Sequence, residues 1–347
     1  MQIQKYSFLD DYSEGCHPKI LEAMAHTNMV QQIAYGDDEY SEQAKDLIRG
    51  HLGDSTIPVY FVAGGTLANI IIMSSALRSH EAVISASTGH IVVRETGAIE
   101  ATGHKIITVS THDGKLTPDD IKSALASNAH FPHMAKPRLV YISNATEAGT
   151  VYTKNELIAL SETCKKNDLL LLLDGARLGV ALTAKINDLS LRDIAELTDV
   201  FWIGGTKAGS LLGEAIVIPN KKLAKDFSFH IKQRGALLAK GRLLGSQFKE
   251  LFSANLFFEL TKHANDMAEK LSDAIAHEGF EFTARTESNQ LFPILPNTLI
   301  DKLKYKFNFY IWEKRDEEFS SIRLVTSWAT DEKQIDAFIQ AITEMSD

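Results

Sequence analysis

Between about residues 55 and 220, short β-rich runs alternate with helical patterns, and several of those runs are apolar at every position. Leu169 to Leu173, five leucines in succession, is the plainest case. A strand with one wet face alternates polar and apolar residues. One that does not alternate must be covered on both sides, as in a parallel sheet with helices on each face. The runs predicted as strands are Ile57 to Val62, Ala82 to Ser85, Lys105 to Val109, Arg138 to Ile142, Leu169 to Leu173, Val200 to Ile203 and Ala215 to Ile218. The segments between them carry helix starts. Thr117, Pro118, Asp119 and Asp120 supply a cap, a first-turn proline and acids for the positive end of a helix dipole, and Thr153 with Glu156 forms a capping-box pattern.

After about residue 235 the pattern changes. A long amphipathic helix over 255 to 277 is followed by Phe280 to Ala284, Gln290 to Leu295, Phe307 to Glu313 and Ile322 to Ser327, which read as short strands. A last helix, Asp331 to Met345, sets Ile335, Phe338, Ile339 and Ile342 at helical spacing to pack on them. The expectation is an α/β large domain over residues 1–235 and a smaller α+β domain over 236–347. At 347 residues and 44% hydrophobic content, the chain is long enough to bury both cores.

The formal charge of −9 offers no basic field for a phosphodiester backbone, which argues against a nucleic-acid partner. Cys16 and Cys164 stand far apart, in neither a redox nor a metal-ligand spacing, so no disulfide framework or metal site is expected. The N-terminus lacks the basic, apolar, small-residue order of a leader, and no run reaches membrane-spanning length. These features describe a cytoplasmic protein that works on small molecules.

Four places carry chemistry. Asp174 ends the leucine strand in Leu-Asp-Gly-Ala-Arg, at the sheet edge where open parallel sheets bind ligands, and a carboxylate there can keep a pyridine nitrogen protonated. Lys207 follows the next strand in Gly-Gly-Thr-Lys-Ala-Gly, where glycines allow close backbone approach and partial desolvation lowers an amine's pKa enough for imine formation. Gly64, Gly65 and Thr66 open a helix after the first strand, a backbone cradle for an anion, and Thr206 is a further candidate contact. His90, after the second strand, could stack on a ring and exchange protons, whereas His133 and His130 lie in a loop before the strand at 138. Taken singly, Asp174 serves equally as a helix cap, Lys207 as a surface lysine and Gly65–Thr66 as a plain turn. Their common position after strands of one sheet is what points to a cofactor site.

Gly65 and Thr66, His90, Asp-Gly-Ala-Arg at 174–177 and Gly-Gly-Thr-Lys at 204–207, in that order, resemble the threonine aldolase family of β-eliminating lyases. Asp-Tyr-Ser-Glu-Gly-Cys-His-Pro and Tyr-Gly-Asp-Asp-Glu-Tyr nearer the N-terminus also resemble family segments. The resemblance implies the aspartate-aminotransferase superfold, that is, a fold type I α/β enzyme dependent on pyridoxal 5′-phosphate (PLP). It implies Lys207 as the Schiff-base lysine, Asp174 as the pyridinium partner, Arg177 as a ligand of the ring's phenolic oxygen, and Gly65 with Thr66 as phosphate ligands. His90 would stack on the ring, Arg323 would clamp the substrate carboxylate, and His133 would act near the substrate hydroxyl. The activity implied is cleavage of threonine or allo-threonine to glycine and an aldehyde, in a homodimer or homotetramer with active sites at the subunit interface. Asp10 departs from the small hydroxylated or amide residue common near the substrate carboxylate. The basic phosphate contact from a neighbouring subunit has four candidates, Lys232, Arg234, Lys240 and Arg242. Other PLP reactions, β-elimination or transamination, would suit the same scaffold, as would a non-catalytic PLP-binding paralogue. A dinucleotide site is not indicated, because no Gly-x-Gly-x-x-Gly opens a helix after a strand.

Overall fold

The computed structural model describes residues 5–346 of the chain. A short N-terminal strand, β1 (Tyr6–Ser7), precedes two helices, Pro18–Thr27 and Glu39–Leu52. The large sheet follows, from β2 (Val59–Val62), β3 (Glu81–Ala86), β4 (Lys105–Val109), β5 (Lys136–Ser143), β6 (Leu170–Asp174), β7 (Val200–Gly204) and β8 (Glu214–Val217). Their spatial order is β2-β8-β7-β6-β5-β3-β4. Every neighbouring pair is parallel except the two that β8 makes, so the sheet is mixed but mostly parallel.

Burial on both faces has the form expected of the unbroken apolar runs. Leu171 and Leu173 of β6, Phe201 and Ile203 of β7, and Ala215 and Val217 of β8 enter one hydrophobic cluster. The alternate residues Leu170, Leu172, Val200, Trp202 and Ile216 enter a second cluster on the other face. Each fully buried leucine contributes roughly 1.5–3 kcal/mol by leaving water, so the sheet is well anchored where it must hold ligands. Capping boxes close the starts of Pro118–Ser127 and Lys154–Lys166 at Thr117 and Thr153, as the sequence indicates.

The second sheet is antiparallel and built from shorter pieces than expected. Gln290 to Leu295 divides into β9 (Gln290–Leu291) and β10 (Ile294–Pro296), and Phe307 to Glu313 into β11 (Phe307–Asn308) and β12 (Tyr310–Lys314); β9, β10 and β12 pair around β13 (Phe319–Val325), and β11 stands outside this sheet. Within Phe280 to Ala284 only a single bridge forms, between Phe282 and Pro293. Pro293 and Pro296 lack amide hydrogens, which interrupts the ladder around them. The helix Leu256–His277 serves both halves of the molecule. Phe257 and Leu260 pack in the large-sheet cluster, while Met267, Leu271 and Ile275 pack with the small sheet. We propose that the domain division falls inside this helix rather than near residue 235, since Phe248, Leu251 and Phe252 also belong to the large core. The N-terminal strand crosses back as well: β1 pairs with β11, and Phe8 is buried in the small core.

Candidate active site

The large-sheet strands other than β8 run the same way, so their carboxyl ends gather on one edge. Because β8 runs against its neighbours, its first residue, Glu214, arrives at that same edge, opposite Gly204 of β7 and Val62 of β2. A cavity of about 320 Å³ opens there, lined by Gly65, Thr66, His90, Asp174, Thr206 and Lys207. Tyr12, Glu95, Trp202 and Glu214 complete much of its wall. Two larger hollows, of about 500 and 460 Å³, contain none of these side chains.

Asp174 is the last residue of β6 and is buried. Its Oδ2 accepts from Tyr141 Oη at 2.6 Å and from Asn69 Nδ2 at 3.1 Å, and its Oδ1 accepts from the Ala176 amide at 3.0 Å. Burial first, and then the Asp174 charge, push the Tyr141 phenol well above its ordinary pKa, so it remains a donor. Asn69 joins the whole cluster. Its Nδ2 also reaches Glu95 Oε1 at 2.9 Å, and its Oδ1 accepts from Trp202 Nε1 at 3.2 Å. The same Glu95 oxygen meets His90 Nδ1 at 2.8 Å, which fixes the imidazole and leaves Nε2 as its uncommitted nitrogen. Glu147 accepts from the His90 amide at 2.9 Å and from Ser143 Oγ at 2.8 Å; burial, helped by Asp174, raises its pKa.

Lys207 sits in a short turn, Thr206–Ala208, just past β7. Burial, and then the nearby Arg177 charge, lower its amine to about 8, against the opposing pull of Asp11, Asp174 and Glu214. The nitrogen lies 5.8 Å from the centre of the Tyr12 ring. Gly65 begins a 12-residue helix whose cap, Gly64, offers no side-chain partner to the first amides. A Cβ on Gly64 would meet nothing within 4 Å, so the approach to those amides is open. Gly65 has a different use: a Cβ there would stand 2.7 Å from the Trp202 ring. Gly204 likewise lets β7 pass the Ala176 carbonyl, 2.5 Å from where a Cβ would be. Gly65 and Gly204 are thus required by the chain's own packing, whereas the sequence pointed to an anion cradle for the first and close approach to a cofactor for the second.

Two arginines lie near the cavity, Arg177 close enough to act on both Lys207 and Arg323. Arg177 forms a bidentate pair with Asp11, Nε to Oδ2 at 2.7 Å and Nη2 to Oδ1 at 3.0 Å, and Asn289 Nδ2 adds 2.9 Å to the same carboxylate. Arg323, on β13, reaches Gln290 Oε1 at 2.8 Å, and its Nε is buried with no partner among the described residues. Burial, and then repulsion from Arg177, hold it down to about 10.

Several sequence expectations meet a different geometry. His133 does not join the cavity. It precedes β5, and a residue before a parallel strand lies at the amino edge, away from Asp174; it is exposed there beside His130, ring centres 4.8 Å apart. The Thr206 hydroxyl also lies against the protein itself, its Oγ1 2.9 Å from Glu214 Oε1. Asp10 is folded into a local turn, its Oδ1 accepting from the Tyr12 amide at 3.1 Å and Ser13 Oγ at 2.8 Å. His90 opens a short helix, His90–Val93, followed by a turn at Glu100–Thr102. Arg242 binds the carbonyls of Thr27 and Val30, Arg234 donates to Ser74 Oγ at 2.8 Å, and Lys232 lies over the Tyr35 ring. The Lys240 side chain makes no such contact among the described residues. Asn69, Glu95, Tyr141 and Glu214 were not anticipated. Asn69, Tyr141 and Glu214 are each a single polar residue in an otherwise apolar stretch, and that is the signal they offered; Glu95, between exposed Arg94 and Thr96, offered none.

Comparison with known proteins places this geometry. A threonine aldolase structure from Leishmania major is 50% identical, with a TM-score of 0.97, covering 99% of this chain and all of that one. An aspartate aminotransferase of Thermus thermophilus, 13% identical, has a TM-score of 0.73 over 99% of this chain and 92% of its own, and shares the fold. The low specificity L-threonine aldolase of Pseudomonas sp. (strain NCIMB 10558) is 35% identical over 344 residues, 96% of each chain. The beta-eliminating lyase family model matches residues 8–297, and with these relatives it shows that the chain belongs to the beta-eliminating lyase family.

Proposed function

We propose that the chain is a PLP-dependent carbon–carbon lyase that cleaves threonine or allo-threonine to glycine and acetaldehyde. The observation that carries this reading is that Lys207 and Asp174, from neighbouring strand ends, line one cavity with the open helix start at Gly65–Thr66.

The residues present fit the cofactor. Asp174 Oδ1 accepts one hydrogen bond and has room for a pyridinium N–H, the amides after Gly64 suit a phosphate, and the amine of Lys207 is accessible in neutral form near pH 8. PLP, when bound, supplies an electron sink for the pair released as the Cα–Cβ bond breaks. Lys207 would attach it, Asp174 would hold its ring nitrogen protonated, and Arg177 would face its phenolic oxygen. Arg323 would bind the substrate carboxylate and so set the orientation of the bond to be broken. His90, oriented by Glu95, would take the β-hydroxyl proton on Nε2, a role that typically contributes about a hundred- to ten-thousandfold.

Segment 28–35 exposes Met29, Val30, Ile33 and Tyr35, and Lys240 shares a groove with Val30 and Ile33. This supports a homo-oligomer with shared sites, in which Lys240 is the candidate phosphate contact to a neighbour. No described helix is long and apolar enough to cross a membrane, and Cys16 and Cys164 are free and buried, in keeping with the cytoplasm. The test is to incubate the PLP-loaded protein with each threonine isomer and identify products. Glycine with acetaldehyde in equal amounts is expected; a 2-oxo acid with ammonia, or amino-group transfer, would contradict the reading.

A further inference from the structure

Glu214 is a buried acid on the cavity wall that the proposed chemistry leaves unused. It opens β8, pairing in register with Gly204 before the lysine turn and with Val62 before the Gly64–Thr66 cradle. Its Oε1 lies 2.9 Å from Thr206 Oγ1, its Oε2 accepts from the Gly205 amide at 3.0 Å, and the Gly213 amide donates to Thr206 Oγ1 at 3.1 Å. A hydroxyl has one proton and two lone pairs. If the carboxyl group is charged, the threonine proton must point at it, and a negative charge then stands on the wall of a phosphate site. If it is neutral, the acid donates to Thr206 Oγ1, both lone pairs are filled by Glu214 and Gly213, and the threonine proton is free to turn to the cavity.

We propose that Glu214 acts as a neutral acid that orients the Thr206 hydroxyl toward the cofactor phosphate, so that its ionisation weakens phosphate binding. This rests on the reading of the cavity as a PLP site. Burial agrees with it, raising the Glu214 carboxyl to about 8. The titratable groups facing it across the cavity are Lys207, Asp174, His90, Glu95 and Tyr12. Strand β7 and the helix Gly65–Ala76 bring no charge, and β2 brings only Tyr60. The helix Arg242–Phe252 approaches Gly213 through Leu244 and Phe248, with Arg242, Lys249 and Glu250 toward its ends.

The test uses pyridoxine 5′-phosphate, which lacks the aldehyde and so cannot react with Lys207, against pyridoxine as the control without phosphate. Binding to the full chain freed of cofactor is measured by calorimetry from pH 7 to 9.5, where a phosphate monoester stays doubly charged. Wild-type affinity for the phosphate ester should fall about tenfold across this range, the size of one charge-assisted contact, while pyridoxine shows no such fall. Glu214→Gln keeps a donor to Thr206 at every pH, so its affinity should fall clearly less than the wild type's, by no more than the loss of the Lys207 charge near pH 8 produces in both proteins. Thr206→Val should lose the hydroxyl's share of the phosphate increment, and with it the pH dependence that Glu214 imposes, and Thr206→Ser should restore both. Equal pH dependence in wild type and Glu214→Gln, or an unchanged phosphate increment in Thr206→Val, would overturn the proposal while leaving the PLP site standing. No binding of the ester at pH 7 would overturn both.

Discussion

Arg177 and Arg323 lie close enough for their charges to repel, yet the fold treats them oppositely. Arg177 has its anion built in: Asp11 meets it on two atoms, and the Asp11 side chain is 1% exposed. Arg323 has a neutral amide on one nitrogen, a buried Nε with no partner among the described residues, and its guanidinium over the Trp312 ring, 5.5 Å from the ring centre. A buried cation without an anion is costly, and proteins keep one where a ligand supplies the missing charge. The contrast supports the proposal that Arg177 holds the N-terminal segment through Asp11 while Arg323 awaits an incoming carboxylate.

Removing each charge should therefore damage a different property. Arg323→Met should reduce kcat/KM for threonine about a thousandfold, equivalent to about 4 kcal/mol of lost binding in the transition state. Its melting temperature should hold or rise, because an uncompensated charge has been removed. Steady-state kinetics beside a thermal melt reads both; a stability loss with normal kinetics would reverse the assignment. Asp11→Asn should do the converse, lowering unfolding free energy by about 3 kcal/mol in urea titration, since Arg177 is left buried and unpaired.

The smallest effect concerns acid. Burial alone would raise the Asp11 carboxyl, but Arg177 and Lys207 outweigh it and hold it below the usual carboxylate range. A carboxyl lowered on folding stabilises the protein above its unfolded pKa, near 4, and that contribution is lost as pH falls through the folded value. Unfolding free energy measured from pH 5 down to 3 should thus fall less steeply in Asp11→Asn than in wild type. Equal slopes would mean that the Asp11–Arg177 pair is not what the acid limb reports.

The fold was legible where burial left an unbroken pattern. Leu169 to Leu173 and Val200 to Ile203 announced doubly covered strands, and Asp174 and Lys207 stood out because a charge follows each run. Pattern does not state strand direction, however. β8 was legible as a strand from Ala215 onward, but only its reversed direction brings Glu214 to the active edge. His133 shows the same lesson in the other sense: nearness in sequence to a core strand counts for little until the end of that strand is known. The network through Asn69 was hidden because the helix Gly65–Ala76 is apolar nearly all round, and one amide in such a stretch does not say which carboxylates it will join. The small sheet was harder again, since its pieces are two to seven residues long and interrupted by proline.

One covalent bond underlies the whole account. The PLP-loaded protein should be reduced with borohydride, digested, and the modified peptide sequenced by mass spectrometry. A pyridoxyl group on Lys207 alone, abolished in Lys207→Ala, is the expected result. A stable adduct at another lysine, or none on a protein that still cleaves threonine, would contradict it.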